Sequence, residues 1–335
     1  MPRFQDDLLS EVISDCFTAF SLPEKVKSIH IRDIWLEKSD DWESSPGIPW
    51  RQYGYRTKGE VASDPLAIRS IEKFWDKVKR GQKSYIPKCT GPGVQILKQK
   101  NRKRTMDVYG YPCTAAFQEA CFAIPLLKGY RELNTTFGYR YKEYNSGNRR
   151  TFCRFQRYSH ITCFDYKSFD KTLPDWLVTV AFDVLASNIN WTKYQGRKDQ
   201  YADRLYKAWK RLIDYFLITP VQFRNGTRYK KHRGDGSGSH FTEMIYTIVN
   251  YIVTQYCVRF QDIKVLEHVV LADESLIATS SPLDISVLIA TAGKFDMVIN
   301  LDHIQVSDRI DGIYFMGDII DKWYKPKFDE YYIAY

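Results

Sequence analysis

The sequence predicts an α+β fold, and three observations carry that prediction. Strand-like apolar runs (residues 159–165, SHITCFD; 265–280, VLEHVVLADESLIATS; 313–319, IYFMGDI) are separated by runs of helical period that differ in length. No internal repeat and no low-complexity linker interrupts this mixed order, so composition announces no domain boundary. The chain has 335 residues, 44% hydrophobic and 27% charged, which suits a folded protein with a substantial core.

In order along the chain, residues 8–20 (LLSEVISDCFTAF) carry a helical apolar period. A polar, proline-containing stretch through SSPGIPW reads as loop. Residues 65–80 predict an amphipathic helix opened by Pro65 and closed by basic residues, as the helix dipole favours. Residues 84–112 read as loop and short strand, and 114–127 (TAAFQEACFAIPLL) as helix. After the strand at 159–165, Pro174 opens a helix over 175–189, and another covers roughly 199–217. The loop GDGSGS (234–239) leads into a long apolar helix, 241–260. Two strands then meet at a tight turn, Ala272-Asp273-Glu274, followed by a helix over 284–298 and a strand at 313–319.

A net charge of +9 and a pI near 9.0 point to an anionic partner, most often nucleic acid. The charge clusters at Lys98, Lys100, Arg102, Lys103 and Arg104, and again at Arg228, Lys230, Lys231, His232 and Arg233. Each cluster alone reads equally well as a solvated loop. Aromatics make up 15%, suited to stacking on bases as well as to packing. The 7 cysteines are scattered without a C-x-x-C pair and His is sparse, so no zinc site is expected. The N-terminus is not a secretory signal, which makes the glycosylation-like triplets at Asn134, Asn190 and Asn225 chance matches. No run approaches the roughly 18 apolar residues of a membrane span. The expectation is a cytoplasmic protein without a membrane partner.

Three constellations carry chemistry. Asp165 ends a short apolar strand, with Asp170 five residues on, and a strand-end carboxylate in a cleft suits Mg²⁺, which takes one or two protein carboxylates. Asp273 and Glu274 sit at the turn between two apolar strands. Such residues are often plain solvated turn residues, but acidic ends of neighbouring strands also make a two-metal site for phosphoryl transfer. Between them, the Gly/Ser loop is either a flexible connector or a phosphate- or sugar-facing backbone. Thr242 and Asn250, polar on an apolar helix, need partners.

In order, these segments resemble the motifs of viral RNA-dependent RNA polymerases, above all those of partitiviruses and picobirnavirus-like relatives. Residues 165–177 (DYKSFDKTLPDWL) resemble motif A, 236–250 (GSGSHFTEMIYTIVN) motif B, and 271–279 (LADESLIAT) motif C. SSPGIPWRQYGYRTKGEV (44–61) resembles motif G, and RKRTMDVYGYPCTAAFQEACFAIPL (102–126) motif F with its following helix. GKFDMVINLDHI (293–304) resembles motif D and IYFMGDII (313–320) motif E, so the ordered set spans about residues 44–320.

The resemblance implies a right-hand polymerase fold with an antiparallel palm sheet and flanking helices. It implies fingers over 1–158, palm over 159–180, a fingers insertion over 181–233, palm over 234–320, and at 321–335 the start of a thumb or a tail, leaving the thumb largely absent. It implies template-directed RNA synthesis for a double-stranded RNA virus genome, with Mg²⁺ or Mn²⁺, nucleoside triphosphates, RNA template and product, and a viral capsid protein as a partner, in the cytoplasm or the virion. Asp165, Asp273 and Glu274 would hold the metal ions. Asp170 and Asn250 would read the 2′-hydroxyl; Ser237, Gly238 and Thr242 would lie near the nascent pair. Arg102, Lys103 and Arg104 would neutralise the triphosphate, and Ser45, Pro46 and Gly47 would guide the template. His303, where the family has a lysine, would protonate the leaving pyrophosphate.

Three departures qualify this. Motif C reads Ala-Asp-Glu where the family has Gly-Asp-Asp: Ala272 is uncomfortable if the turn needs φ > 0, and Glu274 reaches one methylene further. Tyr246 stands where closer relatives carry an aspartate. Only a short aromatic tail follows the motif E-like strand. A second reading is therefore a truncated, weakened or inactive relic of host-integrated viral origin that binds RNA. A third, reverse transcription, is opposed by Asp170 and Asn250, where a bulky steric gate would be expected.

Overall fold

The strand Ile161–Lys167 lies inside a 5-stranded antiparallel sheet in which Val298–Ile299 and Gln305–Ser307 pair along one edge and Glu274–Thr279 along the other, with Val265–Leu271 beyond. The computed structural model describes residues 6–37, 40–99, 102–133, 136–142, 147–197, 201–223, 225–230 and 238–321. Every residue of the strand from Ile161 to Phe164 is buried, the mark of a strand covered on both faces. Ile161 and Cys163 pack into a cluster with Phe155, Val269, Leu276 and Phe315, while the alternate residue Tyr166 reaches Thr254 of the long helix Thr242–Arg259 through its hydroxyl at 3.1 Å. That helix is buried without interruption from Met244 to Val258. The N-terminal helix Asp7–Ala19 is capped by Asp6, which accepts from Leu9 N at 2.7 Å and from the Tyr256 hydroxyl at 2.6 Å.

The chain divides into two compact units, one comprising Met1–Ser21, Tyr130–Phe169 and Glu243–Tyr335, the other Leu22–Gly129 and Asp170–Thr242. The first contains the sheet just described. In the second, Phe122, Phe182, Trp209, Phe216 and Phe241 meet edge to face, the arrangement that aromatic quadrupoles favour. The helices Pro65–Lys79, Cys113–Glu132, Asp175–Ser187 and Ala202–Leu217 belong to this unit or begin in it. Among the described residues no helix is long and apolar enough to cross a membrane.

The α+β expectation agrees with this mixture of sheet and helix; four boundaries differ. Residues 84–112 form not loop and short strand but a long hairpin, Cys89–Gln99 against Arg102–Gly110. The helix expected to reach 189 ends at Ser187, because Asn188 stops it: its Nδ2 donates to Val184 O and its Oδ1 accepts from Leu22 N. Ile189–Tyr194 is then a strand parallel to Val26–Ser28. The helix expected over 284–298 ends at Gly293, and Val298–Ile299 joins the sheet instead. The strand at 313–319 is two short strands around a turn at Met316 and Gly317, both with positive φ, as the tightest hairpins require.

Candidate active site

Asp165 and Glu274 are direct partners across the two central strands. The same Glu274 pairs with Leu271 and closes the hairpin whose turn is Ala272–Asp273. Register alone therefore brings Asp165 and the Asp273-Glu274 pair to one end of one sheet. Glu274 is the first residue of its strand rather than a turn residue. Its Oε2 accepts from Met316 N at 2.9 Å. Burial, reinforced by the negative charge of Asp273 and then Asp165, pushes its carboxyl up to about 7. Asp165 is held by its backbone, whose carbonyl accepts from Asn300 N at 2.9 Å. One carboxylate oxygen, Oδ2, meets His303 Nδ1 at 2.7 Å. The other, Oδ1, is buried and has no hydrogen-bond partner among the described residues. A buried, unsatisfied carboxylate oxygen costs several kcal/mol (about 1–3 or more). A cation would relieve both this and the mutual repulsion that raises Glu274.

That is the fit test for a divalent metal, and the residues meet it. Among the described residues no group of three or more His, Cys, Asp or Glu side chains is gathered that could hold a metal ion by itself. An open set is what a hard cation needs when substrate phosphates complete its shell.

The turn itself is strained and clamped. Ala272 has φ +50°, the left-handed region that costs a residue with a Cβ about 1–2 kcal/mol. The discomfort expected of an alanine here is thus real. Both of its backbone polar groups are tied down: its N–H donates to Thr247 Oγ1 at 2.9 Å, and its carbonyl accepts from Asn250 Nδ2 at 3.0 Å. Thr247 in turn donates to Glu243 O. Asn250 Oδ1 accepts from Ser275 Oγ at 2.7 Å and Thr254 Oγ1 at 2.9 Å. Behind Ser275 stands His268, buried, bonded to Ser275 and Gln255 and stacked on Tyr251.

Of the other expected site residues, Asp170 is exposed in the short helix Phe169–Thr172. Asn250 is fully buried and spends its amide on the hairpin. His303 ends a 3-10 turn, half exposed, beside Asp165. Its Nδ1 lies within hydrogen-bond reach of both Asp165 Oδ2, at 2.7 Å, and Asn300 Nδ2, at 3.0 Å. Tyr246 packs edge-on against Phe169.

In the second unit, Arg102, Lys103 and Arg104 begin the strand Arg102–Gly110, with Lys103 paired to Lys98. Pro46 O accepts from Cys113 N at 3.0 Å. Gly47, next to Ser45 and Pro46, has φ +66°, and a Cβ there would lie 2.8 Å from Pro112 Cα, so only glycine fits. Ser237 lies outside the described residues; Gly238 has φ +123°, open to glycine alone, and Thr242 begins the long helix.

Four residues that the sequence reading passed over matter in this geometry. Thr247 shares a helical stripe with Asn250 and Thr254, a polar stripe on an apolar helix that spacing could have revealed. Ser275 and His268 carry no such signal. Glu119, the one acid in the run TAAFQEACFAIPLL, is fully buried. Its Oε1 accepts from the Tyr111 hydroxyl at 2.5 Å, and its Oε2 from Ser239 Oγ at 2.9 Å and His240 N at 3.0 Å.

Comparison with known proteins covers the span of these motif-like segments. The family described as viral RNA-dependent RNA polymerase matches residues 38–333. The RNA-directed RNA polymerase of Cryptosporidium parvum virus 1 is 29% identical over 218 residues, 64% of this chain and 38% of that protein. The crystal structure of a human picobirnavirus RNA-dependent RNA polymerase superposes with a TM-score of 0.68 at 14% identity, covering 92% of this chain and 55% of the other. The chain thus spans well under two thirds of the length of either relative, and the solved structure shares its right-hand polymerase fold. On this match, covering nearly all of its length, the chain belongs to the viral RNA-dependent RNA polymerase family.

Proposed function

We propose that this chain carries out template-directed RNA synthesis for a double-stranded RNA virus, joining ribonucleoside triphosphates to a growing 3′ end with Mg²⁺ or Mn²⁺ as cofactor. The observation that carries this is the register of Asp165 opposite Glu274, with Asp273 beside it and Asp165 Oδ1 buried without a hydrogen-bond partner among the described residues. Asp165 and Asp273 would hold the cations, with Glu274 as a further oxygen donor. When bound, such ions supply an activated 3′-hydroxyl and stabilise the leaving pyrophosphate oxygens. The chain's own residues do the rest. Arg102, Lys103 and Arg104, at the start of the strand Arg102–Gly110, neutralise the triphosphate.

Asp170, exposed after its strand, reads the 2′-hydroxyl, and Asn250 supports it indirectly by fixing the Ala272–Asp273 turn. Ser237, Gly238 and Thr242 lie along the nascent pair, and Ser45, Pro46 and Gly47 guide the template. His303, placed beside Asp165, would protonate the leaving group as the imidazolium, giving up the proton of its other ring nitrogen. The carboxylate sheet belongs to a palm over 159–180 and 234–320, with fingers over 1–158 and 181–233. Cytoplasm or virion is the setting such synthesis implies. The relic reading is not favoured: the family match runs through every motif, and the Ala272 turn is clamped at both of its polar groups.

Primer extension on a defined RNA template tests the proposal. Metal-dependent, template-complementary incorporation should occur with wild type and vanish with Asp165→Ala. Folded wild-type protein that incorporates nothing with either Mg²⁺ or Mn²⁺ would defeat it.

A further inference from the structure

A carboxyl group taken wholly out of water is costly, and for stability alone an apolar residue of similar size serves as well or better. Glu119 is 0% exposed and the one acid in residues 114–127, so its presence there calls for a reason. Both of its oxygens are used, and the donors come from two separate segments. Tyr111 directly follows the basic hairpin strand Arg102–Gly110. Ser239 and His240 lie between Gly238, with its φ of +123°, and the start of the long helix. Within that short segment Glu119 accepts from one side chain and one backbone N–H. It therefore fixes both where the segment lies and how it is turned. Phe241 N donates back to Ser239 Oγ at 3.2 Å, completing the knot.

The residues just before Glu119 gather a third segment. Cys113 N donates to Pro46 O, Gly47 lies against Pro112, and Trp50 Nε1 donates to Thr114 Oγ1 at 3.1 Å. Lys58, buried nearby, offsets part of the acid's charge.

We propose that Glu119 is a positioning residue for nucleotide addition, one buried carboxyl that holds the segment opening the long helix in register with the end of the basic hairpin. This rests on the polymerase reading above, which assigns those segments to the nascent pair and the triphosphate. Glu119 touches neither substrate; it acts through Ser239, His240 and Tyr111. Its loss should weaken nucleotide binding more than the chemical step.

The test uses Glu119→Gln and Ser239→Ala in the whole chain, with two readouts. Glutamine can still accept from Tyr111, but its amide nitrogen cannot accept from His240 N–H. Ser239→Ala leaves the acid intact and decides the matter should the glutamine variant fail to fold. In single-nucleotide incorporation, KM for the nucleotide should rise about ten-fold, the equivalent of about 1.4 kcal/mol, with kcat changed less than about two-fold. Hydrogen exchange of the segment 238–242 should accelerate in both variants. Wild-type KM and wild-type exchange in both variants would overturn the proposal, as would a fall in kcat alone. If wild type incorporates nothing while exchange still accelerates in the variants, the polymerase reading fails and the anchoring role stands.

Discussion

The turn Ala272–Asp273 and the segment Ser239–His240 are both short connections beside elements that carry chemistry, yet they are held by opposite means. The turn is clamped by neutral groups, the Thr247 hydroxyl and the Asn250 amide. The segment is clamped by a buried carboxyl, Glu119. The difference follows from what each one neighbours. At the turn, Glu274 is already pushed up to about 7 by burial, Asp273 and Asp165. A charged clamp there would alter the field in which a cation must bind, whereas hydroxyls and amides fix geometry without adding charge. Ser239 and His240 carry no carboxylate, so an acid can hold them, its one carboxyl group accepting from both and from the Tyr111 hydroxyl.

The largest effect separates the turn's chemistry from its support. Asp273→Asn should reduce RNA synthesis by roughly three orders of magnitude while leaving the denaturant midpoint near wild type; activity within ten-fold would count against a metal role. Next, Glu119→Ala strands three donors and should cost about 3–5 kcal/mol in urea unfolding, against about 1–2 kcal/mol for Thr247→Val. Equal losses would erase the contrast between the two clamps.

Their pH dependence should have opposite signs. His268, which backs the neutral clamp through Ser275, is lowered by burial to about 3. The folded state then binds fewer protons than the unfolded one. Its stabilising contribution is full above the ordinary 6.5 and is lost as pH falls toward 3, on the order of a few kcal/mol. His268→Gln should flatten that acid limb. Glu119 is raised by burial to about 7. Its contribution is full below the ordinary 4.5 and is lost as pH rises through 7. Glu274 shifts in the same direction, so the Glu119→Gln variant is needed to isolate it; an unchanged neutral limb in that variant would exclude Glu119 as the source. The smallest effect is at Ala272. Glycine there relieves the left-handed strain and should raise stability by about 1 kcal/mol or less, and a loss instead would mean that the strain is already absorbed by the clamp.

Much of this was legible in the sequence. The strand carrying Asp165, which runs on to Lys167, and the hairpin carrying Asp273 and Glu274 follow from short apolar runs bounded by acids, and their order relative to the Gly/Ser loop identified the family. The alanine's strain was also readable, because a family glycine marks a position that needs positive φ. What escaped is instructive. The basic stretch 84–112 hides its hairpin because Lys and Arg mask the strand period, so only pairing across it makes the strands. Asn188 ends a helix by a side-chain bond to Leu22, far away in sequence. Asn250 needed partners, and two of them, Ala272 and Ser275, lie on a hairpin more than twenty residues away. Glu119 announced itself only as a lone acid in an apolar run. Its meaning depends on Ser239, 120 positions later.

The metal centre itself is tested most directly without any catalysis. Mn²⁺ binding to the whole chain, followed by electron paramagnetic resonance with a nucleoside triphosphate present, should show a bound population. Asp165→Asn should weaken it at least about ten-fold in protein that remains folded. Equal Mn²⁺ affinity in wild type and Asp165→Asn would contradict the assignment of Asp165 as the carboxylate around which the site is built.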